Sequence, residues 1–305
     1  MSAPPPNGES AVLTPRDMPI SSGERSGRVM GTVFKYSLIG CLAIALITLA
    51  VLLGQIISDG AGSLSMDFIT EPASSLPANA GIGPALVGTL WLMAVCIAFI
   101  VPVGVATAVY LEEYADRERW YNRLVEVNIQ NLAAVPSIIY GILGLAFLVR
   151  GPLELGRVVL AGGLTLGLLV LPVVIIAARE ALRAVPPSIR EGSMALGATK
   201  WQTIWRQVLP AAIPGIATGT ILAVSRAIGE TAPLIVLGGA VFVTDFPDGL
   251  GSAFSALPLQ IFNWISQPQD EFKALAAAGM IVLLVILLAM NSIAVWLRNR
   301  YEQKW

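Results

Sequence analysis

Two ionisable side chains, Arg226 and Glu230, sit inside an apolar run that covers residues 211–240. A charge at the centre of a bilayer costs at least about 2.5–3.5 kcal/mol, so a pair there needs a reason. Their i,i+4 spacing places both on one face of a helix. A guanidinium stays charged and presents a fixed fork of donors that matches an oxyanion. The chemistry indicated is binding and passage of an anion. Arg226 would attract and contact it. Glu230 would hold Arg226 in place and keep the empty path from binding too tightly, because conduction requires release. Ser225 and Thr231, beside the pair, complete this candidate path. The same spacing also fits a structural ion pair, within the chain or to a partner, that locks helix packing.

Bond-breaking chemistry has little to work with. The chain has no histidine, the commonest general base and metal ligand. Cys41 and Cys96 both lie in apolar runs and read as small buried hydrophobes, not as a disulfide framework or a metal site. No Gly-x-x-x-x-Gly-Lys-Ser/Thr sequence occurs, so no P-loop for ATP is expected in this chain. No nucleophile–base or metal constellation stands out. No catalytic residue, metal or cofactor is therefore expected in the chain itself.

The elements that must position the charge pair follow from composition. Hydrophobic residues make up 55% of the 305-residue chain and charged residues 13%, and the mean hydropathy is +0.74, whereas soluble domains carry about a quarter charged residues. A net charge of −1 offers no polyanion-binding surface, which argues against nucleic acid. Six apolar segments are long enough to span a membrane: 36–57, 85–110, 129–149, 158–178, 211–240 and 274–297. Helices are the form expected for them, because a lipid-exposed backbone must satisfy its own hydrogen bonds. The first run follows a long polar stretch and lacks a small-residue cleavage site, so it does not read as a cleaved signal. Residues 1–30, rich in Pro, Ser, Gly and charge at their start, are expected to be disordered.

Basic residues set the orientation. Fifteen lie before the first span, after the second, between the fourth and fifth, and after the sixth, against Arg150, Arg157 and Lys273 in the alternate loops. The positive-inside rule puts both termini in the cytoplasm. The fold class expected is all-α: a polytopic membrane domain over 31–305 with six transmembrane helices and a cytoplasmic loop, about 183–209, carrying two short helices. In that loop Pro186 and Pro187 stop the preceding helix. Ser188 with Glu191, and Thr199 with Gln202, have capping-box spacing. Gly197 stands where a left-handed turn residue belongs. Arg183, Arg190, Lys200 and Arg206 would face water or headgroups. Glu112 and Glu113, at the end of the second span, read as solvated or interfacial acids. On periodicity alone the loop is better described as an amphipathic helix that merely rests on the bilayer.

Particular residues say more. Glu191-Gly-Ser-x-x-x-Gly197, followed by Leu209-Pro210, resembles the coupling loop of permeases in binding-protein-dependent ABC importers. Two alanines are usual where Gly192 and Ser193 stand, and an aliphatic residue is usual at Gln207. Asn-Leu-Ala-Ala-Val-Pro-Ser-Ile-Ile-Tyr-Gly (131–141), Leu-Gly-Ala-Thr-Lys-Trp-Gln-Thr (196–203) and Ser-Arg-Ala-Ile-Gly-Glu-Thr-Ala-Pro-Leu (225–234) resemble PstA-type permeases of the phosphate-specific transport system. Members often carry an Arg at the place of Ile176; here Arg179 lies three residues on. The resemblance implies a permease subunit in a bacterial inner membrane that carries phosphate by alternating access. It implies docking of an ATPase subunit on Glu191, Gly192, Ser193, Leu196, Gly197, Ala198 and Thr199. It implies as partners a homologous PstC-type permease, two ATPase subunits that hold ATP and Mg2+, and an external phosphate-binding protein. A secondary anion carrier using Glu230 as a proton relay, a non-transporting scaffold, and an ABC permease for sulfate or molybdate are the competing readings.

Overall fold

The computed structural model describes residues 23–116, 118–239 and 243–301. The chain divides into two compact units, one ending at Gln55 and the other starting at Ile56. The first unit contains most of helix α1 (Gly23–Gly60). Its side chains from Met30 onward are mostly apolar and mostly exposed all round, as suits a helix solvated by lipid. Cys41 lies on this helix and is exposed, contrary to the expectation of a buried residue, while Cys96 is buried. The helix already begins at Gly23, inside the segment expected to be disordered; residues 1–22 of that segment lie outside the described residues.

The second unit is a bundle. Helix α2 (Met66–Thr70) precedes α3 (Gly83–Val109), which continues through a π-helical turn to Tyr114. Then come α4 (Trp120–Ala133), α5 (Ser137–Leu143) with a π turn to Val149, and α6 (Val159–Arg183). Helices α7 (Pro187–Ala195) and α8 (Lys200–Thr203) form the loop, and a π turn (Ile204–Val208) carries α8 into α9 (Leu209–Gly229). Helices α10 (Ala232–Leu237), α11 (Leu257–Ile265) and α12 (Asp270–Tyr301) complete it. Among the described residues there is no strand, only an isolated bridge between Val158 and Ala253.

Helices α3 and α6 run parallel. Their C-terminal ends meet where Arg183 bonds Glu112, and nearer their N-terminal ends Gly162 and Gly163 lie against Leu92 and Val95. The intervening chain must therefore return across the full thickness of the bundle. It does so in α4 and α5, which are bent by 107° at the break between them. The expected third span, 129–149, is thus not a straight helix but a kinked one. Pro136 is the cause: it has no N–H to offer the carbonyl of Leu132 and disfavours helix in the residue before it. The Tyr140 hydroxyl donates to that same carbonyl at 2.8 Å and holds the bend. With α4–α5 taken as one span, six segments among the described residues are long and apolar enough to cross a membrane.

Close packing rests on small residues. A Cβ at Gly219 would lie 2.3 Å from the Cβ of Ala177, and one at Gly215 would lie 2.7 Å from that of Ala181, so α9 runs antiparallel to α6 at near backbone contact. Gly163 and Gly167 seat Val95 and Phe99 of α3 in the same way.

Candidate functional site

The charge pair stands at a helix break. Helix α9 ends at Gly229, Glu230 is extended (φ −81°, ψ 111°), and α10 begins at Ala232 with Pro233 in its first turn. The fifth span is broken, as Pro233 predicts, but at Glu230–Thr231, upstream of the proline. A helix continued into Pro233 would leave the Gly229 carbonyl without its donor, so the chain leaves helical geometry first. Gly219 faces Ala177, and Arg226 lies about 10 Å further along α9, level with the middle of α6. The pair therefore stands at mid-height of the spans.

Arg226 Nε donates to Glu230 Oε1 at 3.4 Å. The Arg226 side chain is 52% exposed and that of Glu230 20%. Among the described residues this is the contact that engages the Arg226 guanidinium, so most of its five N–H donors remain for a ligand. Thr231 is adjacent and half-buried, and its side chain makes no capping bond. Ser225 is placed differently: its hydroxyl donates to Asn291 Oδ1 of α12 at 2.9 Å. The structure thus brings Arg226, Glu230 and Thr231 together and commits Ser225 to helix packing.

The loop forms the two short helices expected, with two corrections. Thr199 and Gln202 form the full capping box at the start of α8, and Gly197 is left-handed at φ +86°. The Ser188–Glu191 box does not form, because α7 is entered from Pro186 with Pro187 in its first turn and has no side-chain cap. Helix α8 is not a separate element, since it runs on into α9. The π turn shifts the hydrogen-bond register just before Pro210, which has no N–H to give. Glu191 and Gly192 are exposed, Leu196 is 90% exposed, and Met194, Trp201 and Trp205 are exposed as well. Gly192, Ser193, Leu196 and Ala198 line a groove of about 480 Å³ with Ile189 and Gln207. The seven candidate coupling residues thus sit on one continuous stretch, the second half of α7 and its link to α8.

Sequence reasoning missed the ion-pair lattice behind this loop. Glu112 and Glu113 are not solvated: their side chains are 6% and 8% exposed. Glu112 accepts from Arg183 at 3.1 and 3.2 Å and lies 3.7 Å from Arg179. Arg179 also pairs with Glu126 of α4 at 3.0 Å, and its Nε is buried without a partner. Arg190 is not directed to water either. It donates to Glu113 Oε1 at 2.8 and 3.0 Å, to Leu182 O at 2.9 Å and to Val185 O at 2.7 Å. Lys200 lies 5.1 Å from the centre of the Tyr114 ring. The one hint in the sequence was two adjacent acids closing a span, with arginines recurring from 179 to 190.

Residues 100–304 match the model of a family described as "Binding-protein-dependent transport system inner membrane component". The chain is 31% identical to the "Probable ABC transporter permease protein YqgI" of Bacillus subtilis, over 87% of this chain and 93% of that protein. It is 34% identical to the "Phosphate transport system permease protein PstA" of Mycobacterium leprae, over 89% and 88%. It is 36% identical to "PstA 1" of Mycobacterium tuberculosis, over 72% and 70%. In fold it resembles a chain of a bacterial alginate ABC transporter, with TM-score 0.64 at 18% identity over 90% of this chain and 96% of that one. It also resembles a chain of the MetNI methionine ABC transporter, with TM-score 0.57 at 18% identity over 73% and 95%.

Proposed function

The chain belongs to the binding-protein-dependent transport system inner membrane component family, and from that membership we propose that it is the PstA-type permease subunit of an ATP-driven phosphate importer. The observation that carries the substrate is Arg226: a largely unengaged, half-exposed guanidinium fork at mid-height of the spans, beside a break in the helix that presents it. Its geometry suits phosphate oxygens, and relatives at 34–36% identity are named as phosphate permeases. Glu230 holds the guanidinium by one long hydrogen bond of 3.4 Å, so an entering anion competes for it readily.

In this reading the permease is a multi-pass protein of the bacterial inner membrane with both termini in the cytoplasm. It pairs with a homologous PstC-type permease, two ATPase subunits and an external phosphate-binding protein. ATP and Mg2+ act in the ATPase subunits, which dock on the turn from Glu191 to Thr199. Closure of the ATPases moves α7 and α8, the spans open outward to take phosphate past Arg226, and hydrolysis returns them inward.

The test is radiolabelled phosphate uptake in cells lacking their own copy, comparing this chain with its Arg226→Gln variant at matched amounts of assembled complex. Uptake restored by the native chain and lost in the variant supports both the substrate and the role of Arg226. Equal uptake reduces Arg226 to packing. Assembly without phosphate uptake, but with uptake of sulfate or molybdate, replaces the substrate.

A further inference from the structure

Helix α7 has no buried residue. Apart from the half-buried Ile189, which edges the cluster around Leu182, Val185 and Val208, its attachment to the bundle is polar. One fastening is the 2.9 Å hydrogen bond between the Ser193 and Thr203 hydroxyls, which ties the end of α7 to α8. The other is Arg190. Its guanidinium spends one donor on each of the carbonyls of Leu182 and Val185, at the C-terminal end of α6, and two on the Glu113 carboxylate in the π turn that closes α3. A charged fork meeting helix-end carbonyls and a carboxylate with 8% of its side chain exposed is among the stiffer fastenings a protein can make. The covalent chain alone would transmit a push on α7 to α6 and α9. The Arg190–Glu113 bond carries it directly from α7 to the end of α3, beside the Arg183–Glu112 pair that joins α6 to the same turn.

We propose that Arg190 and Glu113 are positioning residues that deliver the stroke of the coupling helix to the second membrane span, so that α3, α6 and α9 move as one body when the ATPases close. The assignment rests on the importer reading above and adds a second line of transmission to it. Removing the link should leave the ATPases bound and cycling while the path fails to open in step.

The experiment reconstitutes the full complex in liposomes with the external binding protein and measures phosphate moved and ATP hydrolysed in the same vesicles. Glu113→Gln keeps the shape of the side chain and the carbonyl bonds of Arg190 but removes the charge pair. The expected result is native assembly, continued ATP hydrolysis and a fall of about five- to tenfold in phosphate moved per ATP. Arg190→Gln should behave at least as badly, and Arg190→Lys, which keeps a positive charge against Glu113 but loses the fork, should retain a substantial part of the ratio. A purely structural role would lower transport and hydrolysis together through lost assembly and leave the ratio unchanged; that result, or a ratio within twofold of native in Glu113→Gln, overturns the proposal. A native complex that carries sulfate or molybdate in place of phosphate overturns the substrate reading alone, and the same ratio is then read with that anion.

Discussion

Arg226 is held loosely. A half-exposed ion pair contributes about 0–1 kcal/mol to stability, so the Arg226–Glu230 contact is a poor fastener and its loss should leave the fold intact. That makes the two residues open to functional test. Arg226→Lys keeps the charge but loses the planar fork, and maximal phosphate uptake should fall about tenfold with unchanged amounts of assembled complex. Glu230→Gln frees the guanidinium. The anion is then held longer, so both half-saturation and maximal rate should fall; an unchanged maximal rate in uptake kinetics would return Glu230 to a packing role. Glu191 is exposed on the outer side of the turn, so Glu191→Lys should leave the permease folded and abolish co-purification of the ATPase. The Arg226–Glu230 pair was legible because its partners are four residues apart on one helix. Glu112 and Glu113 were not, because their arginines lie 71 and 77 residues away, and nothing in a linear sequence announces a bond made through space.

At the scale of the element, two glycines make opposite predictions. Gly219 has the Cβ of Ala177 in the way. Gly219→Ala must push α9 off α6, at a cost of about 1–3 kcal/mol, and should lower the melting temperature of the purified complex. Gly192, in α7, would meet nothing within 4 Å. Gly192→Ala should leave assembly unchanged and stabilise the helix by about 0.5–1 kcal/mol, visible as slower hydrogen exchange across residues 187–195. The break at Glu230 and the bend at Pro136 were both foreshadowed by prolines. The bend was missed because 129–149 is apolar enough to pass as a straight span. The π turns carry no such mark: that before Pro210 makes sense once seen, since a widened turn is one way to seat a residue without an N–H, but a sequence does not say where the register will slip.

At the scale of the whole molecule, the parallel packing of α3 and α6 decides how often the chain crosses. Charge counting supplies the direction we propose: the ends of α3 and α6 that meet at Glu112 and Arg183 are the ends rich in basic residues, which the positive-inside rule assigns to the cytoplasm. Single cysteines in a chain with Cys41 and Cys96 replaced by serine make this measurable. Ser75→Cys, before α3, and Leu153→Cys, before α6, both lie on exposed positions and should react with a membrane-impermeant maleimide in intact spheroplasts. Glu118→Cys, between α3 and α4 and also exposed, should react only after the membrane is permeabilised. The decisive residue is Leu153. If α4 and α5 only dipped into the membrane and returned, Leu153→Cys would label with Glu118→Cys, α6 would have to run against α3, and the bond between Arg183 and Glu112 could not join their ends. Labelling from outside fixes α4–α5 as a full crossing, and with it the placement of Arg226 between two faces of the membrane, where an anion path requires it to be.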